Sequence, residues 1–269
     1  MADRLWTREE VLLTINLYCK LPYAKLRQTT PEVKELARLL GRTPSAISMR
    51  CCNYVQFDPV ESKRVKGFTR VAKLDRTIFT EINGDWENFA VICEQLLEQY
   101  RKQYVRLNKN KKDTLLASPT WEKEVELPFG SVKKQMLNTR IGQRFFREAV
   151  LSAYNHQCCI TGLRHDALLV ASHIKPWKDS DLKTERTNPR NGLCLSPLYD
   201  RAFDAGLMTI DEQYRIVFDR QIYDCAENKI VKHLFKQYEG KFINLPERFA
   251  PEQLFLAYHR NHVFHRIER

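Results

Sequence analysis

The chain has 269 residues, a length that as a rough guide accommodates about two domains. Hydrophobic residues make up 43% and charged residues 29%, and Phe, Tyr and Trp are plentiful beside nine Gly and eleven Pro, which excludes disorder throughout and predicts a folded, soluble protein. Lys and Arg number 44 against 33 Asp and Glu, a formal charge of +11 that favours polyanionic partners, nucleic acid first. No apolar run approaches the roughly 18–20 residues that span a bilayer, so no membrane partner is expected. The start, MADRLWTREEV, is charged from its third residue and has no apolar signal core, so the expected location is the cytoplasm.

In chain order, Thr7 reads as an N-cap followed by Arg8, Glu9 and Glu10. Val11, Leu12, Ile15 and Tyr18 then recur at helical spacing, and Leu21-Pro22 end the helix. A second helix opens at Pro31, buries Val33, Leu36, Ala37 and Leu40, and stops at Gly41. Thr43-Pro44 open a third, TPSAISMRCCNYV. Helix, short Gly-containing turn, helix is the outline of a helix-turn-helix. In that reading Thr43, Ser45, Ser48 and Arg50, with Arg42, face a DNA duplex. The same pattern also fits a small helical bundle whose third helix only packs on its neighbours.

From Pro59 the pattern weakens and basic residues gather at Lys63, Arg64, Lys66, Arg70, Lys73 and Arg76. Asp85 caps a long amphipathic helix whose stripe includes Phe89, Ile92, Cys93, Leu96, Leu97 and Tyr100, a core face or a dimer face. Residues 101–112 hold six basic residues and no acid, which fits a solvated linker and phosphate contact equally. The stretch to Thr139 reads as a connector with one short strand at VEL, residues 125–127.

Near Arg140 a second region opens with the helix IGQRFFREAVLSAYN. A short β-type run, Leu168 to Ile174, contains His173, and a second runs from Asn191 to Leu195. Ser196 or Pro197 starts a helix that carries Asp200 and Asp204, and TIDEQYRIVFD alternates like a hairpin strand. Four residues apart on a helix, Asp200 and Asp204 share one face. Carboxylates that close repel unless a cation or proton sits between them, and oxygen-only ligands favour Mg²⁺ or Mn²⁺ over zinc. His173 can take a proton near neutral pH and activate a water. A base and one hard metal suffice for phosphodiester hydrolysis. By spacing alone, a satisfied histidine at a strand end and a solvent-facing Asp pair are the commoner readings. None of the eight cysteines forms a C-x-x-C pair, so no structural zinc is expected and the thiols are expected to be buried.

ASHIKPW followed by NPRNGLCLSPLYDRAFDAGL resembles the HNH endonuclease family, in particular its restriction-type bacterial members. The flanking GQRFFREAVLSAYNHQCCITG and LPERFAPEQLFLAYHRNHVF extend the resemblance over about residues 140–269. WTREE and LARLLGRTPSAISMR resemble the front end of restriction endonucleases of this kind. The resemblance implies a β-hairpin and helix clasping one Mg²⁺ or Mn²⁺ per active site. It implies His173 as general base and Asn191 as the residue that fixes the loop and that base. Asp200 is implied as a metal ligand, with Asp204 one turn on. Two departures stand out: Ser172 occupies a position where many members place Asp or His, and the two C-x-x-C knuckles of many members are missing, with only Cys159 and Cys194 near those places.

The resulting expectation is an α+β chain. Residues 1–58 form a helical, helix-turn-helix-like DNA-recognition region, and 59–105 a basic segment with a long amphipathic helix. Residues 106–139 form a connector and 140–269 an HNH nuclease domain. Lys175, Arg186 and Arg190 are expected to contact the DNA backbone. His259, His262 and His265 are expected to cap or pack a final helix or touch phosphate. The expected function is metal-dependent cleavage of double-stranded DNA in restriction or another defence, by a homodimer because one site cuts one strand. The alternatives are a DNA-binding regulator with an inactive HNH domain and a nuclease directed at RNA or structured junctions.

Overall fold

The computed structural model describes residues 4–57, 72–108, 131–224 and 229–264. It is an α+β protein that divides into two compact units. Unit 1 comprises residues 1–148 and 182–187; unit 2 comprises 149–181 and 188–269.

Unit 1 is helical. Helix α1 (Arg8–Lys20) opens with a reciprocal cap in which the Thr7 hydroxyl accepts from Glu10 N and the Glu10 carboxylate accepts from Thr7 N at 3.0 Å. Helix α2 (Pro31–Leu40) ends at Gly41, whose φ of 61° lies in the left-handed region that strains any residue with a Cβ. Helix α3 (Pro44–Asn53) is capped by Thr43 Oγ1, which accepts from Ala46 N at 3.2 Å. The basic residues Lys63, Arg64, Lys66 and Arg70 lie outside the described residues.

Helix α4 (Lys73–Gly84) occupies sequence that reads as patternless. Its buried stripe is narrow, with Ile78, Phe79 and Ile82 its only buried apolar residues, so it gives little periodic signal. Helix α5 (Trp86–Leu107) starts where Asp85 Oδ1 accepts from Asn88 N at 3.0 Å. The connector's VEL strand falls outside the described residues, but helix α6 (Ser131–Ala153) begins nine residues ahead of Arg140 and takes up the connector's last part.

Helix α1 packs against α2, α3, α4 and α5. It is therefore buried almost all round rather than along one stripe, and encloses the polar Glu10, Thr14 and Asn16 along with Val11 and Ile15. Thr14 Oγ1 lies 2.8 Å from both Glu10 O and the Tyr54 hydroxyl, which satisfies it internally. Trp86, Phe89 and Phe145, all buried, meet one another in edge-on and tilted ring contacts.

In unit 2, strand β1 (Val170–His173) pairs antiparallel with β2 (Gly192–Leu195), with His173 opposite Gly192 and Val170 opposite Leu195. Helix α7 (Pro197–Asp204) follows at once, opened by a proline whose missing N–H costs nothing in a first turn, and packs on both strands. Strands β3 (Met208–Ile210) and β4 (Ile216–Phe218) form a second antiparallel pair. Short helices α8 (Gln221–Asp224) and α9 (Lys229–Leu234) precede α10 (Gln253–His262), which packs on β3. Among the described residues no helix is long and apolar enough to cross a membrane.

Candidate active site

Strand alternation sorts the residues around His173. Ser172 and Ile174 are buried, and His173 between them is half-buried. The Trp177 ring meets the His173 imidazole edge-to-face, with centroids 5.3 Å apart. This contact limits how the imidazole can turn.

Asn191, fully buried, holds the chain that leaves β1. Its Oδ1 accepts from Lys175 N at 2.8 Å, and its Nδ2 donates to Lys175 O at 3.3 Å and Ser180 Oγ at 3.2 Å. Its own carbonyl accepts from Ile174 N at 3.0 Å. One side chain thus stitches the residues after His173 to the start of β2. Ser180 completes the arrangement: its hydroxyl lies 2.9 Å from Lys175 O. No spacing signal marks Ser180 in the sequence, because its role depends on a turn that brings it back beside Asn191.

Helix α7 carries Asp200 and Asp204 one turn apart. Desolvation and the Asp200 carboxylate raise the Asp204 pKa above its ordinary value, opposed by Arg201. That repulsion is what a divalent cation relieves. Two carboxylates suit Mg²⁺, which commonly binds through one or two protein carboxylates and completes its shell with water and substrate phosphate. The Ser172 hydroxyl, 3% exposed, has no hydrogen-bond partner in the described structure. Among the described residues no third His, Cys, Asp or Glu joins the pair in a ligand cluster. The residues present therefore fit a hard ion held by oxygen and leave most of its shell to other ligands.

Residues 158–211, which contain β1, β2, α7 and β3, match the profile of a family described as HNH endonuclease. The chain carries an HNH endonuclease domain. No curated protein matches the chain.

Other residues expected to contact DNA are placed variously. In the HNH domain, Lys175 Nζ lies 5.2 Å from the centroid of the Tyr258 ring. Arg190 packs over Phe249, with its Nε 3.7 Å from Glu252. Arg186 falls in the 182–187 segment that belongs to unit 1, where its charge acts on the Glu87 carboxyl.

In unit 1, Arg42 donates to Glu10 at 2.8 Å and to the Arg4 and Leu5 carbonyls at 2.9 Å, and its guanidinium lies over Trp6. Arg50 pairs with buried Asp75 at 2.5 Å and also lies over Trp6. Ser48 donates to Leu26 O at 2.5 Å. Thr43 and Ser45 remain exposed.

His259 is buried, stacks on Phe203 at 3.6 Å, and lies within hydrogen-bond distance of Thr209 Oγ1 and Phe203 O. Burial lowers its pKa to about 4, so it joins α10 to α7 as a neutral ring. His262 stacks on Tyr258, and His265 lies outside the described residues. Cys158, Cys159 and Cys194 are buried free thiols, and burial pushes the Cys159 thiol well up.

Proposed function

We propose that this protein is a metal-dependent DNA endonuclease of restriction or a related defence, acting in the cytoplasm on double-stranded DNA. The observation that carries the reading is the coincidence, within the matched segment, of His173 on β1, Asn191 at the entry to β2 and the Asp200–Asp204 pair on α7. His173 takes a proton from water as its oxygen attacks phosphorus, and the 3′-oxygen leaves in line. Asn191 and Ser180 hold the chain beside that base. Asp200 and Asp204 would hold Mg²⁺ or Mn²⁺. That ion, when bound, supplies charge stabilisation to the phosphate and the leaving oxygen.

Lys175, Arg186 and Arg190 are assigned to the DNA backbone. The helical region of residues 1–58 is assigned to recognition in helix-turn-helix fashion, with Thr43 and Ser45 as its exposed polar groups. The assignment keeps Arg42, Ser48 and Arg50 as residues that shape this surface. One site hydrolyses one strand, so cutting both strands calls for a homodimer.

The test is competition among supercoiled plasmid, linear duplex, single-stranded DNA and RNA, each with Mg²⁺, Mn²⁺ or chelator. Duplex cleavage that needs a divalent ion is expected. Preferential RNA cleavage contradicts the DNA assignment, and metal-dependent DNA binding without cleavage under every condition contradicts the enzyme assignment.

A further inference from the structure

Many cations of unit 1 are committed to carboxylates. Arg4 and Arg42 pair with Glu10, Arg8 with Glu81, Arg50 with Asp75 and Arg101 with Glu35. Lys34 and Arg38 on α2 differ. Both are exposed, and neither side chain has an ion-pair or hydrogen-bond partner among the described residues.

The two stand one turn apart on α2, so their side chains lie next to each other. Like charges at that spacing oppose the helix that carries them, and an anion between them removes the repulsion. Both line a groove of about 420 Å³ that reaches from Pro31, in the first turn of α2, to Pro44, in the first turn of α3. Arg42 is a third cation in its wall, but its guanidinium is already bound by Glu10. Among the described residues no Asp or Glu lines the groove. A concave surface with two uncompensated cations and no acid is complementary to a polyanion.

The position in the fold narrows which polyanion. Helices α2 and α3 are joined by the three residues 41–43. In DNA-binding helix pairs with so short a turn, the first helix crosses the backbone while the second enters the major groove. Exposed Thr43 and Ser45 bracket Pro44, on the α3 side of the same groove.

We propose that this groove seats the sugar–phosphate backbone of double-stranded DNA, with Lys34 and Arg38 as its phosphate contacts. The inference rests on the DNA reading above and deepens it. It moves the backbone contacts of unit 1 from Arg42 and Arg50, which the fold engages, to two cations that the fold leaves uncommitted. Such contacts position a duplex without reading its bases, so their loss weakens every sequence alike.

The test is fluorescence-anisotropy titration of the full chain with two duplexes of unrelated sequence. Chelator prevents cleavage, and salt is varied from about 50 to 200 mM. The logarithm of affinity falls with the logarithm of salt, and the slope counts phosphate contacts. Lys34→Gln with Arg38→Gln is expected to flatten that slope by about one for each substitution and to weaken both duplexes equally. Both positions are exposed and Gln is a good helix former, so the melting temperature is expected to hold. Lys34→Arg with Arg38→Lys keeps both charges and is expected to keep the slope. Arg8→Gln controls for net charge, because its guanidinium is already paired with exposed Glu81, and is expected to leave the slope unchanged. An unchanged slope in the Gln pair would overturn the proposal and leave the DNA reading standing. Flattening by about one in Arg8→Gln would also overturn it, since any lost charge would then serve. Failure of the wild type to bind either duplex would overturn the proposal and the DNA reading together.

Discussion

In unit 1 the arginines that the sequence offers to DNA are bound internally, Arg42 by Glu10 and Arg50 by Asp75, and both acids are buried. In unit 2 the buried polar side chains Asn191 and Ser180 instead converge on the chain that follows His173, and leave that histidine half-buried beside Trp177. The contrast separates two uses of polar groups. A charge paired inside a helical bundle fixes how helices meet, whereas a neutral hydrogen-bonded stitch beside a strand end fixes where a reactive group points. Net charge, which first suggests nucleic acid, does not distinguish the cations that hold the fold from those that face a partner.

The largest expected effect is in unit 1. Arg50→Met removes the partner of buried Asp75, and the loss of stability at pH 7 should be about 4 kcal/mol, within the range for stranding one member of a buried pair. Burial already holds the Asp75 pKa above its ordinary value, with Arg50 opposing. A carboxyl raised in the folded state adds stability that is complete below its unfolded pKa and is lost as pH rises through its folded one. Urea denaturation of Arg50→Met should therefore recover part of its loss as pH falls below 7. A pH-independent difference, or none, would mean that the pair is not what holds α3 to α4.

A smaller effect is expected in unit 2. His259 has a pKa lowered to about 4 from 6.5, so the unfolded chain takes up its proton first as pH falls. Its contribution is present above 6.5 and is lost as pH drops toward 4, by about 3 kcal/mol in all. His259→Gln, melted across that window, should show a flatter dependence than the wild type. An unchanged slope would show that the ring is not held neutral between Phe203 and Thr209.

Local chemistry made much of this legible. The Thr7–Glu10 cap, the stop at Gly41 and the start at Pro197 follow from single residues with strong positional preferences. The order of His173, Asn191 and Asp200 is legible only through the resemblance, because HNH motifs are short and lie close together in sequence. The pairings in unit 1 were not, because Arg42 and Glu10 are 32 residues apart, and Arg101 and Glu35 are 66 apart. The same holds for Asn16: its helix reads as one-sided from its apolar spacing, and only packing on four neighbours shows that the residue is enclosed. Helix α4 gives no periodic signal in the sequence because its buried stripe is too narrow to stand out.

The proposed function turns on His173 as the base of a hydrolytic site. Its most direct test is single-turnover cleavage of duplex DNA in Mg²⁺ and Mn²⁺ by the wild type and by His173→Ala, with both proteins first matched for melting temperature and DNA affinity. The expected rate is lower by about 10²-fold or more in the variant, the scale of a lost general base, with binding retained. Cleavage by His173→Ala at the wild-type rate would contradict it.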